Sequence, residues 1–224
     1  MSENLENWQP RPRPERVVLE GYYVRLEPLS AAAHGNGLFT ASAVPDAEAR
    51  FAWLYEYPPT NRENFLAWVE QAERGTDPLF FTVIDKASGQ AAGRQSLMRI
   101  DPANGVIEIG NIYWGPLISR RPAATEAQFL FMKYVFDELG YRRYEWKCNN
   151  RNEPSKRAAI RFGFQPEGVF RQHLIVKGEN RDTAWFSIID KEWPALRSAY
   201  ERWLDPSNFD TAGMQRRRLE KYRA

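Results

Sequence analysis

Residues 106–127 read VIEIGNIYWGPLISRRPAATEA. The β-branched and aromatic content of Val106–Trp114 predicts a strand. Gly115-Pro116 ends it, and a short loop carries Arg120 and Arg121 to Pro122. Proline suits the first turn of a helix, because its missing N–H would be unpaired there anyway. Ala127, Leu130, Phe131, Tyr134, Val135 and Leu139 then fall on one helical side until Gly140 stops the pattern. A strand that hands the chain straight to a helix N-terminus brings free amides, the positive end of the helix dipole and two cations to one point. That is an anion site suited to a pyrophosphate. Small Ala123 and Ala124 let a ligand approach the backbone closely. An ordinary loop with surface arginines fits the same residues.

Working outward, Leu79–Asp85 and Ala91–Ile100 precede this strand, joined by the turns KASGQ (86–90) and DPANG (101–105). Asn104-Gly105 is a strong hairpin signal, since both positions tolerate a positive φ, so the three strands form an antiparallel meander. By alternation Glu108 shares a face with Gly110, Ile112 and Trp114, and Asn111 points to the other. Val17–Leu29, with Gly21 inside it, predicts a bulged strand or two short paired ones. A helical stretch follows around Ala31–Ala43, then a clearer helix over Asn61–Glu73 with Thr60 as its cap. Downstream come a strand at Tyr141–Asn149, a helix at Glu153–Phe162 stopped by Gly163, strands at Gly168–Val176 and Thr183–Ile189, and a last helix near Glu192–Leu204. This order predicts a single mixed α/β domain over 17–204, without internal repeats. Residues 1–16, with Pro10, Pro12 and Pro14, predict an extended arm. Residues 205–224 form a basic tail whose stretch Met214–Arg223 reads as a solvated helix.

Composition narrows the function. Of 224 residues 43% are hydrophobic, and Lys+Arg 31 against Asp+Glu 29 leaves +2, which excludes binding to nucleic acid by bulk charge. One cysteine, Cys148, excludes an internal disulfide, and two distant histidines, His34 and His173, argue against a metal site. Residues 1–16 lack the apolar core of a secretory signal, and no apolar run approaches the roughly 18 residues of a membrane span. A cytoplasmic protein with no metal and no membrane partner is expected.

A second segment, Asn149-Asn150-Arg151-Asn152-Glu153-Pro154-Ser155-Lys156-Arg157, also joins a strand to a helix. Alone it reads as a capping cluster around Asn152. Together the two segments resemble the GNAT acetyltransferase superfamily, in the branch that includes ribosomal-protein N-terminal acetyltransferases. The carriers are Ala124-Thr125-Glu126-Ala127, Asn152-x-x-Ser155, Gly163-Phe164 with Glu167-Gly168 after it, and Arg181-Asp182 before an aromatic strand. The resemblance covers roughly Leu19 to Trp193. It implies a mostly antiparallel central sheet that splays like a V between flanking helices, with acetyl-CoA in the gap as co-substrate. The residues it implies for that ligand are Ile112, Tyr113, Trp114, Ile118, Arg120, Arg121, Ala123, Ala124, Thr125, Asn152 and Ser155. One departure is clear. Where the family's phosphate loop has Gln/Arg-x-x-Gly-x-Gly/Ala, this chain has Ser119-Arg120-Arg121-Pro122-Ala123-Ala124. Proline removes one amide donor, and the two arginines offer fixed fork donors in its place. In the strand after Glu167-Gly168, where some relatives carry a glutamate, this chain has Leu174.

The resemblance implies direct transfer of an acetyl group to an amine of a small molecule or peptide. Ser155 is expected to protonate the leaving thiolate, because the helix after Asn152 lacks the tyrosine many relatives use. Glu108 is the expected base; an exposed strand carboxylate is its alternative. An N–H near Ile112–Trp114 would polarise the thioester oxygen. Trp53, Tyr55 and Tyr57 are expected as walls of the acceptor groove. Cys148 reads as a structural thiol and His173 as a packing or hydrogen-bonding residue. A competing reading is a catalytically weak CoA-binding or ribosome-associated module, contacting RNA through Arg216–Arg218. The acceptor and the choice between monomer and homodimer stay open.

Overall fold

The computed structural model describes residues 4–211 and 213–223; the first three residues of the expected arm, and Ala212 and Ala224 of the expected tail, lie outside the described residues. Eight strands form one sheet in the order β1-β2-β3-β4-β5-β6-β8-β7. They are β1 (Leu19–Glu20), β2 (Val24–Pro28), β3 (Leu79–Asp85), β4 (Gln90–Asp101), β5 (Val106–Trp114), β6 (Arg143–Asn149), β7 (Gln165–Val176) and β8 (Glu179–Ile189). Every neighbouring pair is antiparallel except β5 and β6. The helices are α1 (Ala31–Ser42), α2 (Ala47–Phe51), α3 (Arg62–Arg74), α4 (Pro122–Lys133, continued by a π-helical turn Tyr134–Glu138), α5 (Glu153–Phe162) and α6 (Trp193–Leu204).

One face of the sheet packs on α4, α5 and α6 in a core that includes Phe81, Ile107, Phe131, Tyr144 and Tyr200, all fully or almost fully buried. The apolar members, Phe81, Ile107 and Phe131, each contribute about 1.5–3 kcal/mol by leaving water. The other face carries α1 and α3 on a smaller cluster of Leu29, Leu38, Val69 and Phe80. Gly163 ends α5 with φ +101°, a conformation that glycine adopts without a Cβ penalty.

β5 carries a bulge that re-aims its side chains. Gly110 pairs with Ser96 and Tyr113 with Arg94, so Asn111 and Ile112 together lie opposite Gln95. Asn111 takes φ +52° there, which asparagine tolerates better than most residues. The extra residue reverses the alternation beyond it, and this corrects the faces expected from the sequence. Asn111 donates to Ser96 Oγ at 3.0 Å and so lies on the Glu108 side. Trp114 turns to the core face, where its indole donates to Gln95 Oε1 at 3.0 Å.

β5 and β6 pair only from Val106↔Arg143 to Ile109↔Trp146, although β5 runs on to Trp114 and β6 to Asn149. Beyond Ile109 the two strands part. Phe162 of α5 lies 6.0 Å, ring centre to ring centre, from both Trp114 on one lip and Trp146 on the other. Aromatic bulk thus fills the opening from the core side.

Glu126 ties α4 to the far edge of the sheet. It is buried and accepts the backbone N–H of Tyr22 at 2.8 Å, Tyr23 at 2.6 Å and Val24 at 2.8 Å. Burial pushes its carboxyl up, and the three amides pull against that.

Two further expectations are corrected. Asn61, not Thr60, caps α3, its Oδ1 accepting from Asn64 N at 2.9 Å; both residue types can cap, and the helix starts one residue later than the pattern suggested. The short helix α2 has too few residues to show a period. Met214–Arg223 is not a solvated helix but a folded-back strap ending in a 3-10 turn, Leu219–Tyr222, with Leu219 fully buried. Arg223 donates to the carbonyls of Ile160 at 3.2 Å and Arg161 at 2.8 Å, satisfying the last turn of α5. At the other end the arm is held by Trp8, whose indole donates to Ala103 O at 2.7 Å. Arg16 adds a bond to Gly75 O at 2.8 Å.

Candidate active site

The parted ends of β5 and β6 open beside the N-terminus of α4. The loop between β5 and α4 is folded by its own bonds: Ser119 N donates to Gly115 O at 3.0 Å and Arg121 N to Ile118 O at 3.1 Å. Ser119 Oγ donates to Trp114 O at 2.6 Å, and Arg50 from α2 donates to Ser119 Oγ at 3.2 Å. Arg120 takes φ +60° in this loop. Both Arg120 and Arg121 are exposed, and neither has a carboxylate partner among the described residues. Arg121 stands at the N-cap of α4 and makes no side-chain cap, so the first-turn amides have no capping acceptor from it. Ala123 and Ala124 lie buried in that turn. The Thr125 hydroxyl accepts from Arg161 of α5 at 3.0 Å, so this side chain is already engaged. Ile118 is fully buried in the core, and both its backbone groups are bonded within the loop. Tyr113 is buried on the opposite face, its hydroxyl donating to Ala41 O at 2.7 Å. Ile112 and Trp114 are half-buried at the lip.

Asn152 and Ser155 stand on the β6 side. Asn152 Oδ1 caps α5 by accepting Ser155 N at 3.1 Å. Replacing Asn152 by alanine is therefore expected to cost about 1 kcal/mol of stability, lowering Tm by roughly 2–4 °C for a domain of this size. Thermal unfolding with a wild-type midpoint would contradict a capping role. Ser155 Oγ accepts the indole N–H of Trp146 at 3.0 Å. Cys148 lies beside it in the core, where burial pushes the thiol up against the pull of the Ser155 hydroxyl. A buried thiol held protonated is a poor nucleophile.

Glu108 is neither a free base nor an exposed carboxylate. It is 3% exposed. Arg99 Nη1 donates to both its oxygens at 2.8 Å, and Lys147 Nζ reaches Oε2 at 2.7 Å. Lys147 also holds Glu145 at 2.7 Å and sits 3.7 Å from the centre of the Trp185 ring. Arg143 continues the chain of alternating charges, at 2.6 Å from both Glu145 and Glu167. Its guanidinium holds the Glu167 carboxyl below the ordinary range, helped by the Ser187 hydroxyl. The strand alternation that pointed to Glu108 gave no sign of its partners, which come from two other strands.

Tyr55 and Tyr57 lie against the β7–β8 hairpin, and Trp53 against the loop between β6 and α5. Lys177 lies 4.7 Å from the Tyr57 ring centre, Arg181 5.3 Å from that of Tyr55, and Arg151 5.7 Å from that of Trp53. Lys177 Nζ also donates to Phe51 O at 2.9 Å. His173 shares a hydrogen bond of 3.0 Å with the Thr183 hydroxyl and packs on Phe170 and Trp185. A cavity of about 500 Å³ between α5 and the β7–β8 edge does not reach the α4 N-terminus. Among the described residues no group of three or more His, Cys, Asp or Glu side chains could hold a metal ion. Among them, too, no helix is long and apolar enough to cross a membrane.

An open sheet whose central parallel pair comes apart beside a helix N-terminus is the architecture of the GNAT acetyltransferases. This chain belongs to that family of acyltransferases: residues 24–165 match the Acetyltransferase (GNAT) domain. It superposes on the crystal structure of a GCN5-related N-acetyltransferase from Brucella melitensis with a TM-score of 0.97 and 69% identity, over 98% of this chain and 99% of that one. YdaF of Bacillus subtilis, named as a candidate ribosomal N-acetyltransferase, is 32% identical over 106 residues, 47% of this chain and 57% of that protein. The chain thus spans less than two thirds of that curated relative's length. The microcin C7 self-immunity acetyltransferase MccE, solved with acetyl-CoA and AMP, shares the fold at a TM-score of 0.65 and 22% identity, over 75% of this chain and 93% of that one.

Proposed function

We propose that the chain is an N-acetyltransferase that moves an acetyl group from acetyl-CoA to a primary amine, by direct attack within a ternary complex. One juxtaposition carries the reading: β5 and β6 lose their pairing after Ile109 and Trp146, beside the point where α4 begins behind Arg120 and Arg121. The residues fit the co-substrate. Parted strands leave backbone donors and acceptors that an extended amide-containing arm can pair. The α4 amides and the two arginines suit a pyrophosphate. Pro122 removes one amide from the loop, and the arginines supply fork donors in its place. Acetyl-CoA, when bound, supplies a thioester already activated for transfer.

The chain's own work is then placement and proton handling. Holding the amine within about 3–3.5 Å of the carbonyl carbon supplies most of the rate. We assign polarisation of the carbonyl to backbone N–H groups at Ile112–Trp114. Arg94 Nη1 donates to Asn111 O at 2.8 Å and fixes the bulge from which they project. For the base we propose Glu108 acting through water from within its ion pairs, with Arg99 as the partner that can release it. The Arg99 side chain is 44% exposed, against 5% for Lys147.

For the leaving thiolate we propose Ser155 as proton donor. An oxygen that already accepts the Trp146 N–H is polarised toward giving up its own proton. Ser155→Ala is expected to lower kcat by about 10–100-fold while leaving the Kd for acetyl-CoA nearly unchanged. A raised Kd with an unchanged kcat would make Ser155 a contact only.

Residues 17–204 are the proposed catalytic domain, in a cytoplasmic monomer or homodimer. The alternative of an RNA-contacting tail would use Arg216–Arg218, which are exposed, with the Arg217 guanidinium 4.7 Å from the Tyr222 ring centre. The ribosomal name of the YdaF relative makes a ribosomal-protein N-terminus one acceptor to test. Release of free thiol from acetyl-CoA in the presence of a panel of amines tests the proposal.

A further inference from the structure

A second cavity, about 220 Å³, lies on the outer face of the sheet between α3 and the segment before it, walled by Phe51, Tyr57, Phe65 and Trp68. Arg94 lines it and is 2% exposed. Its guanidinium sits 4.4 Å from the centre of the Trp68 ring and binds Glu56 Oε1 at 3.2 Å. The other oxygen, Glu56 Oε2, is buried and has no hydrogen-bond partner among the described residues. A buried acceptor left unmade is costly in a packed core, but this one lines a cavity.

The chemistry of the lining selects an occupant. The charge of Arg94 is already matched by Glu56, and the free polar atom is a carboxylate oxygen, so an anion gains nothing here. An N–H donor completes the carboxylate, and the ring faces of Phe51 and Phe65, which hold no cation, suit an apolar or aromatic stem behind it. The volume suits a single residue-sized group. Position matters as much. Through the bond from Arg94 to Asn111 O, 2.8 Å long, the cavity adjoins the bulge that lies two residues past the last pair between β5 and β6, Ile109↔Trp146.

We infer that this cavity is the acceptor pocket, and that it takes a primary amine on a short apolar or aromatic stem, the amine N–H bonded to Glu56 Oε2. The inference rests on the acetyltransferase reading above and gives its acceptor a place and a class. Glu56 is here the group that recognises the amine. Nothing in the sequence marked it, because neither a motif nor a period singles out a lone glutamate in a loop.

Calorimetry on the full chain with CoA present, using 2-phenylethylamine as the probe, tests this. The wild type is expected to bind it, and to bind 2-phenylethanol at least ten times more weakly. Glu56→Gln keeps an oxygen for Arg94 and should weaken the amine at least tenfold. Thr60→Trp places a ring at an exposed rim position of the cavity and should abolish amine binding. Acetyl-CoA affinity should hold in both variants. No amine binding to the wild type, or wild-type amine affinity in either variant, overturns the inference. Because the readout is binding, that result leaves the acetyltransferase reading standing. A failure of thiol release with every amine would remove the reading without erasing a measured amine site.

Discussion

Replacing Arg120 and Arg121 together by alanine is expected to weaken acetyl-CoA binding by roughly 2–4 kcal/mol, about 30- to 1,000-fold in Kd. Each arginine is exposed and has no carboxylate partner within the described residues, so its donors are available to a phosphate. An exposed charge-assisted contact contributes about 1–2 kcal/mol, at the lower end of the usual span because water competes for it. The effect should be large for this chain in particular, since Pro122 has removed an amide that would otherwise share the load. Stability should be almost untouched, because neither side chain is packed. Calorimetry that finds the same affinity in the double variant would refute the phosphate assignment.

Glu126→Ala is expected to be the most destabilising single change at the site, by about 3–5 kcal/mol. It strips the acceptor from three backbone N–H groups at once, those of Tyr22, Tyr23 and Val24. Each donor left unpaired costs about 1–3 kcal/mol. The total is held down by the desolvation that the buried carboxylate itself suffers, the same burial that pushes its carboxyl up. A loss of this size lowers Tm by about 6–20 °C at roughly 2–4 °C per kcal/mol. Glu126→Gln, which keeps one acceptor oxygen, should recover part of it. A melting point within about 2 °C of wild type for Glu126→Ala would show that water replaces the carboxylate at no cost.

The two results separate what a resemblance can carry from what packing decides. Glu126 belongs to the run Ala124-Thr125-Glu126-Ala127 that made the family legible, yet its side chain serves the β1–β2 turn and not a ligand. Elements with a strong local cause were readable in the sequence. Asn152 and Gly163 bracket α5 as cap and stop, and Gly105 turns the hairpin into β5 with φ +61°. Side-chain placement along β5 was not readable, because alternation presumes an unbroken ladder. The bulge at Asn111 inserts one residue and reverses everything after it. The basic tail departs from its sequence pattern for a similar reason. Its charge pattern is that of a solvated helix, and only the tertiary fold shows Leu219 buried and Arg223 capping α5. Glu108 illustrates the same limit from the other side, since its cations, Arg99 and Lys147, lie on β4 and β6.

The most direct test of the central claim is to mix the purified chain with acetyl-CoA and a panel of primary amines, including 2-phenylethylamine, a polyamine and a peptide with a free N-terminus, and to follow free thiol alongside the mass of each amine. The account predicts thiol release that depends on the amine, matched one for one by acetylated product, and lost with Ser155→Ala more through kcat than through cofactor affinity. Acetyl-CoA bound by the chain, but no thiol released above background with any amine, would contradict it.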